Sequence, residues 1–132
     1  ATSVESRVYV LKTIGDMFRY IAECSSKDRQ QQSSSSTYEF YLKAQDEAVA
    51  LPPTNAIRLG LILNVSVYYN EMMDDVKKAY EVCKDAVGKA ERYKGELDEY
   101  AKHILKMMHE NLKLWQHVEE DLGEELKEEE LN

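Results

Sequence analysis

The sequence predicts an all-α protein of about five antiparallel helices stacked as hairpins. Apolar residues recur at intervals of three and four along most of the chain, which is the period of an amphipathic helix. Charged residues make up 32% of the 132 residues, and the sequence contains only five glycines and two prolines, so few residues would interrupt a helix. No run alternates between apolar and polar residues for long enough to form a strand, and short turns between long helices favour antiparallel neighbours.

The first helix is predicted between Glu5 and Cys24, where apolar residues beginning with Val8 and Leu11 recur at helical spacing. The polar run SSKDRQQQSSSST at 25–37 then predicts a solvated connector. As an alternative, its serines are interpreted as a modification site.

The second helix is expected from about Tyr38 to Leu51. Ser36 and Glu39 have the spacing of a capping box, in which two side chains bond each other's backbone amides at a helix start. Pro52 and Pro53 end this helix, because proline removes a backbone donor and disfavours helical geometry in the residue before it.

Three more helices complete the predicted bundle. Thr54 or Asn55 caps the third, the pair Asp74-Asp75 opens the fourth, and Gly95 marks the break before the fifth. Their expected bounds are about Asn55 to Met73, Asp75 to Tyr93, and Leu97 onward past Glu120.

An asparagine interrupts the third helix, whose segment RLGLILNVSVYYNE (58–71) is almost wholly apolar. A buried polar group without a partner costs about 1–3 kcal/mol, so Asn64 needs one. Two interpretations stay open. The partner is the main chain of a bound peptide, with Leu63 and Val67 as apolar walls and Glu71 beyond them, or it is a neighbouring helix.

The fifth helix repeats this pattern beside Trp115. Ile104, Met107, Asn111 and Leu114 follow one another at spacings of three, four and three, so they form one stripe. Two amides on different helices indicate a matched pair facing one channel, because a peptide main chain offers the donors and acceptors that amides need.

One side of the first helix carries Lys12, Asp16, Arg19 and Tyr20. Asp16 can pair with Lys12 at four residues or with Arg19 at three. A lysine, an arginine fork and a tyrosine hydroxyl make a phosphate site. The alternative is an ordinary ladder of salt bridges on a solvated face.

The charge of −8 lies mostly at the C-terminal end, where residues 118–132 hold eight acidic residues and one lysine. This balance disfavours nucleic acid as the partner. The longest apolar runs are too short to span a bilayer, so no membrane association is expected, and no leader opens the chain. Cys24 and Cys83 are predicted to be free thiols in a reducing compartment. The histidines and acidic residues form no catalytic or metal pattern, so neither an enzyme nor a cofactor is predicted.

Three segments together resemble the 14-3-3 protein family: ESRVYVLKTIGDMFRYIAE (5–23), AIRLGLILNVSVYYNE (56–71) and ILKMMHENLKLW (104–115). The resemblance covers about residues 4–117, in the family's order and spacing. It implies the C-terminal part of a nine-helix, all-α fold over 1–117, followed by an acidic tail at 118–132. It also implies a cytoplasmic, or additionally nuclear, adaptor that binds phosphoserine or phosphothreonine segments of partner proteins in an amphipathic groove.

The resemblance assigns roles to individual residues. By it, Arg19 and Tyr20 bind the phosphate with Lys12 nearby, and Asn64 and Asn111 hold the ligand main chain. The implied apolar wall and rim consist of Leu63, Val67, Ile104, Met107 and Leu114, with Glu71 and Trp115 as polar contacts. Ile14 and Met107 depart from the family's usual lysine and leucine, which predicts an altered peptide preference.

The sequence begins where the family's fifth helix begins. We therefore expect a truncated chain, a cleavage product or a portion of a longer protein, whose full-length parent dimerises with itself or a relative through the first four helices. If those helices supply two charge-assisted bonds, the chain alone loses about 3–6 kcal/mol, or roughly two to four decades of affinity. Uncovered Val8, Leu11 and Phe18 predict self-association.

Two other functions remain alternatives. One is a tetratricopeptide-like scaffold for unphosphorylated peptides, although the sequence lacks the period of about 34 residues. The other is a helical regulatory domain of an enzyme. Two hypotheses concern the acidic tail. The helical spacing of Trp115, Val118, Leu122 and Leu126 predicts that the last helix extends into it. The negative charge of 118–132 suggests instead that the tail folds back onto the basic site.

Overall fold

The computed structural model describes residues 3–131, apart from the side chain of Glu119, and this range is all-helical with five α-helices. The all-α prediction is therefore confirmed. The helices are α1 (Val4–Glu23), α2 (Lys27–Ala48), α3 (Ala56–Glu71), α4 (Val76–Glu91) and α5 (Glu99–Leu131), with a 3₁₀ turn at Lys94–Glu96 before α5. No helix in this range is long and apolar enough to cross a membrane.

The predicted starts of α3 and α4 are confirmed by their caps. The Asn55 side chain accepts hydrogen bonds from the backbone amides of Ile57 and Arg58 at 2.9 and 3.1 Å. Asp75 accepts from the amide of Lys78 at 3.0 Å. Each cap satisfies donors that have no partner within the first turn of a helix.

The predicted connector at 25–37 is wrong, because α2 already begins at Lys27. Ser36 lies inside this helix, so it does not form the predicted capping box. Thr37 is fully buried and donates to the carbonyl of Ser33 at 2.9 Å, while the Ser34 hydroxyl lies 3.3 Å from that of Tyr68 on α3. The burial of Thr37 and the contact of Ser34 with α3 are tertiary, and they outweigh the weak helix preference of serine and threonine.

Two apolar clusters share α3. One joins α3 to α1 and α2 and is centred on Val8, Tyr41, Leu61, Val65 and Tyr68. The other joins α3 to α4 and α5 and includes Leu59, Cys83, Leu105, Met108 and Trp115. Because α3 serves both clusters, it is apolar on most of its circumference, which explains why its sequence shows no simple amphipathic pattern.

The prediction that Val8 is bare is wrong, because Val8 is fully buried in the cluster with α2 and α3. Leu11 and Phe18 are half-buried. Other apolar side chains of α1 are exposed instead, namely Tyr9, Val10, Met17, Tyr20 and Ile21. At the other end of the chain, residues 118–131 continue α5 as a helix rather than folding back on the bundle.

Candidate functional site

The carboxylate of Asp16 is the centre of a buried polar cluster between α1, α2 and α3. It is 7% exposed. Lys12 donates to its Oδ2 at 2.7 Å, and the Asn64 amide donates to both oxygens at 3.0 Å. The Tyr41 hydroxyl donates to Oδ1. Three helices thus direct donors at one negative charge, which is how a buried carboxylate is stabilised.

Arg19 lies one turn along α1 and is also 7% exposed. Its hydrogen bonds are long: Nη1 donates to the carbonyl of Asn64 at 3.4 Å, and Nη2 to the Tyr20 hydroxyl at 3.5 Å. Nη2 is 4.0 Å from the Asp16 carboxylate. Nε is buried and has no partner among the described residues. Arg19 therefore has donor capacity that residues 3–131 do not use.

The charge of Arg19 is maintained despite this burial. Burial alone would lower the pKa of the guanidinium, but Tyr41, the bond to Tyr20 and the Asp16 carboxylate raise it by more, so the net pKa is above its usual value. The guanidinium also lies over the Tyr20 ring, 5.2 Å from its centroid. A charged and incompletely bonded arginine has the chemistry to bind an anion.

The sequence left two alternatives each for the charged residues of α1 and for the partner of Asn64, and the structure decides part of both. The Asp16–Arg19 pair is buried, so it is not a ladder on a solvated face. Asn64 does bond a neighbouring helix, through Asp16 on α1. This contact uses the amide nitrogen of Asn64, and its oxygen makes no hydrogen bond within residues 3–131.

Gly15 allows Tyr41 to reach Asp16. A Cβ atom on Gly15 would lie 2.6 Å from Cδ1 and Cε1 of the Tyr41 ring. Real Cβ contacts are not so short, so only glycine lets the ring lie directly against α1. Burial first, and then the bond to Asp16, raises the pKa of Tyr41 far above its usual value, so its hydroxyl stays a donor.

The predicted apolar wall lies on α3 and α5. Leu63, Val67 and Ile104 are partly buried against the apolar cluster that joins α3 to α4 and α5. A Cβ on Gly60 would lie 3.7 Å from Cδ1 of Ile104, so the two helices are in close contact there. On α5, Met107 and Asn111 are half-buried and Leu114 is exposed. The amide of Asn111 makes no hydrogen bond to another described residue, which leaves it available to a ligand.

Two residues predicted at the rim differ in their surroundings. Trp115 is 3% exposed and belongs to the core cluster, so packing occupies most of its surface. Its role as a polar contact of the ligand stays a prediction. Its location follows from helical spacing, since Met108 and Trp115 are seven residues apart on the buried side of α5. Glu71 is exposed at the end of α3, where it lines a cleft of about 750 Å³ together with Tyr38, Tyr68 and Tyr69.

Comparison with known proteins identifies the family. The family model described as 14-3-3 protein matches residues 1–116. The chain belongs to the 14-3-3 family. The 14-3-3-like protein GF14-D of Oryza sativa subsp. japonica is 40% identical over 137 residues, covering 97% of this chain and 51% of the relative.

Further 14-3-3 relatives come from distant organisms. The 14-3-3 protein 2 of Entamoeba histolytica is 37% identical over 119 residues, covering 87% of this chain and 50% of the relative. Protein BMH2 of Saccharomyces cerevisiae is 37% identical over 130 residues, covering 95% of this chain and 48% of the relative. The chain thus spans about half the length of the curated relatives it matches, and the match does not favour the tetratricopeptide alternative.

Within this 14-3-3 chain, the structure brings together Lys12, Arg19, Tyr20 and Asn64 around Asp16. The ligand roles predicted for them stay predictions. The sequence analysis did not single out Gly15 or Tyr41, since the tyrosine lies on α2 among the apolar residues Phe40, Ala44 and Ala48. A glycine inside an amphipathic helix does indicate the close approach of a neighbour, but it does not identify which residue approaches.

Proposed function

We propose that this chain is part of an adaptor that binds phosphoserine- or phosphothreonine-containing segments of partner proteins, and that α1, α3 and α5 form one wall of the binding groove. Arg19, Tyr20 and Lys12 bind the phosphate in this proposal. Asn64 and Asn111 bind the main chain of the segment, and the apolar residues of α3 and α5 contact its side chains.

The observation that carries the proposal is the unused Nε donor of Arg19. A buried N–H without an acceptor costs about 1–3 kcal/mol, so such a group indicates a partner that arrives with the ligand. A phosphate oxygen supplies that acceptor, and its charge of about −1.5 to −2 matches the guanidinium. The exposed hydroxyl of Tyr20 beside it offers a second donor.

Membership of the 14-3-3 family supports the same proposal, since the segments that resemble the family are the ones that contain these residues. The oxygen of the Asn64 amide and the whole Asn111 amide remain unbonded among the described residues, as main-chain binding requires. Leu63 and Val67 give the α3 wall apolar side chains that are only partly buried, as one side of an amphipathic groove requires.

The test is a titration followed through the arginine side chains. The chain has only five arginines, so NMR of a ¹⁵N-labelled sample can follow each arginine Nε–H signal separately. This measurement detects peptide binding even when the affinity is low. A peptide with one phosphoserine should shift the Arg19 signal, and its unphosphorylated twin should not. Equal affinities for the two peptides would rule out the proposal.

Two substitutions sharpen this titration. Arg19→Lys keeps the positive charge but removes the Nε donor and the planar fork. We expect it to weaken phosphopeptide binding by about tenfold or more, the equivalent of one charge-assisted hydrogen bond. Arg92→Lys, at an exposed arginine just after α4, is the matched control and should leave the affinity unchanged.

A further inference from the structure

We propose that Tyr41 is a positioning residue for anion binding: by donating its hydroxyl to Asp16, it prevents that carboxylate from closing onto Arg19. This inference rests on the proposed function, because it concerns the anion site formed by Arg19. It assigns a role to a tyrosine of α2 that is only 1% exposed.

The first step is the competition between a carboxylate and a phosphate for the same guanidinium. Asp16 lies three residues before Arg19 on α1, within reach of a direct ion pair. Yet the nearest approach is 4.0 Å, between Nη2 and Oδ1, at the outer limit for a salt bridge. If this pair closed, the carboxylate would occupy donors of Arg19 and place a negative charge against the incoming phosphate.

The second step is what holds the pair open. Oδ1 of Asp16 already accepts from the Tyr41 hydroxyl and from the Asn64 amide, and Oδ2 accepts from Lys12 and the same amide. Each carboxylate oxygen has about two acceptor positions, so these four contacts saturate the group. The carboxylate is satisfied without Arg19, and Nε of Arg19 stays without a protein acceptor.

The third step is why Tyr41 controls this arrangement. Oδ1 is the oxygen on the Arg19 side, and Tyr41 is one of its two close donors. The ring is fixed against α1 at Gly15 and packs edge-on against Tyr68, with centroids 5.8 Å apart, so the hydroxyl has one position. Loss of the hydroxyl would leave a buried carboxylate short of a donor, and the guanidinium is the nearest source of one.

The test compares phosphopeptide affinity in matched variants. Tyr41→Phe removes only the hydroxyl, and we expect about tenfold weaker binding, as for the loss of one charge-assisted bond. Tyr68→Phe is the control, because it removes another buried hydroxyl of the same core cluster, one that bonds Ser34 rather than Asp16. It should bind as the unmodified chain does.

Removing the carboxylate charge separates positioning from a merely structural role. Asp16→Asn removes a negative charge near the anion, so we expect about fivefold tighter binding. The double variant Tyr41→Phe with Asp16→Asn should regain at least the original affinity, because no carboxylate remains to close onto Arg19. A structural role for the hydroxyl predicts instead that the double variant binds no better than Tyr41→Phe.

Each outcome is decisive. Equal affinity of Tyr41→Phe and the unmodified chain would overturn the inference, and so would a double variant without recovery. If Tyr41→Phe does not fold, as judged by its helical circular dichroism, the double variant decides, because it leaves no buried carboxylate short of a donor. Binding weaker than that of the unmodified chain contradicts the inference, and equal or tighter binding supports it. Failure of the proposed function would look different, since the unmodified chain would then not distinguish the phosphopeptide from its unphosphorylated twin.

Discussion

The missing Cβ atom of Gly15 determines how the polar cluster around Asp16 is arranged. Without it, the Tyr41 ring can pack against α1 and donate its hydroxyl to Asp16, which also accepts hydrogen bonds from Lys12 and Asn64. Three helices are tied together at this point through contacts between single atoms.

Gly15→Ala should therefore destabilise the chain. The added Cβ would lie 2.6 Å from two ring atoms, and overpacking of this kind costs about 1–3 kcal/mol in the free energy of unfolding, measured by urea denaturation. Gly88→Ala is the control, because nothing lies within 4 Å of its Cβ inside α4. There the better helix preference of alanine should stabilise the chain by about 0.5–1 kcal/mol.

Individual residues could be predicted from the sequence where a pattern is local. Asp16 was expected to pair with Lys12 or Arg19 from their spacing on one helix, and both contacts exist, at 2.7 and 4.0 Å. Tyr41 could not be predicted, since its partner is 25 residues away and no spacing rule relates positions on different helices.

At the scale of elements, α2 differs most from its prediction. A run of glutamines and serines has no apolar stripe, so periodicity indicates a connector there. The structure forms a helix through it because Thr37 is buried and Ser34 contacts α3. By contrast, the caps at Asn55 and Asp75 are local signals, and the starts of α3 and α4 followed from the sequence.

Ser35 offers a direct test of this helix. It is exposed, and among the described residues its hydroxyl bonds only the carbonyl of Gln31 in the same helix. Within a helix, Ser35→Gly should be less stable than Ser35→Ala by about 1 kcal/mol. In a solvated connector the two variants would unfold at the same urea concentration, and that result would contradict the observed start of α2 at Lys27.

The C-terminal part of α5 supplies a second prediction. Beyond Trp115, the described side chains of residues 116–131 are exposed apart from the position of Gly123. Deletion of 118–132 should lower the helical signal but change the free energy of unfolding by less than about 0.5 kcal/mol, as expected for surface residues. A large loss of stability would mean that this segment packs on the bundle.

The same deletion also tests the hypothesis that the tail folds back onto the basic site. Tighter phosphopeptide binding at low salt after the deletion would support that hypothesis.

At the scale of the whole molecule, the exposed apolar side chains of α1 predict self-association. Tyr9, Val10, Met17, Tyr20 and Ile21 are each about half exposed on a single helix, and contiguous apolar surface promotes association. Sedimentation should show a concentration-dependent increase in mass that Val10→Lys reduces. Val49→Lys is the control, because Val49 is 72% exposed just after α2 and does not belong to α1. A monomer at high concentration would contradict this prediction.

The molecule should also lose stability at alkaline pH. Burial raises the pKa of Cys83 from 9.0 to about 11, despite the opposing effect of a bond from Ser66, and burial also raises the pKa of Tyr41, Tyr68 and Tyr69. Above about pH 9 the unfolded chain loses protons that the folded chain keeps, so the free energy of unfolding falls as pH rises.

Urea denaturation at pH 8 and pH 10 measures this loss. Cys83→Ser should reduce the difference by about 1 kcal/mol, because the serine hydroxyl does not titrate in this range. Cys24→Ser, at the exposed thiol, controls for the loss of a cysteine as such. A pH dependence that is the same in both variants would show that Cys83 does not contribute.

The sharing of α3 between two apolar clusters has a consequence for how the chain opens. The α1–α2 pair and the α4–α5 pair can each separate from the bundle while the other remains docked, but neither can leave without exposing one side of α3. Backbone amides of α3 should therefore be among the last to exchange with deuterium, since only global opening uncovers both of its faces. Asn64 lies on this helix, so we expect its backbone to stay in place even while the outer helices fluctuate.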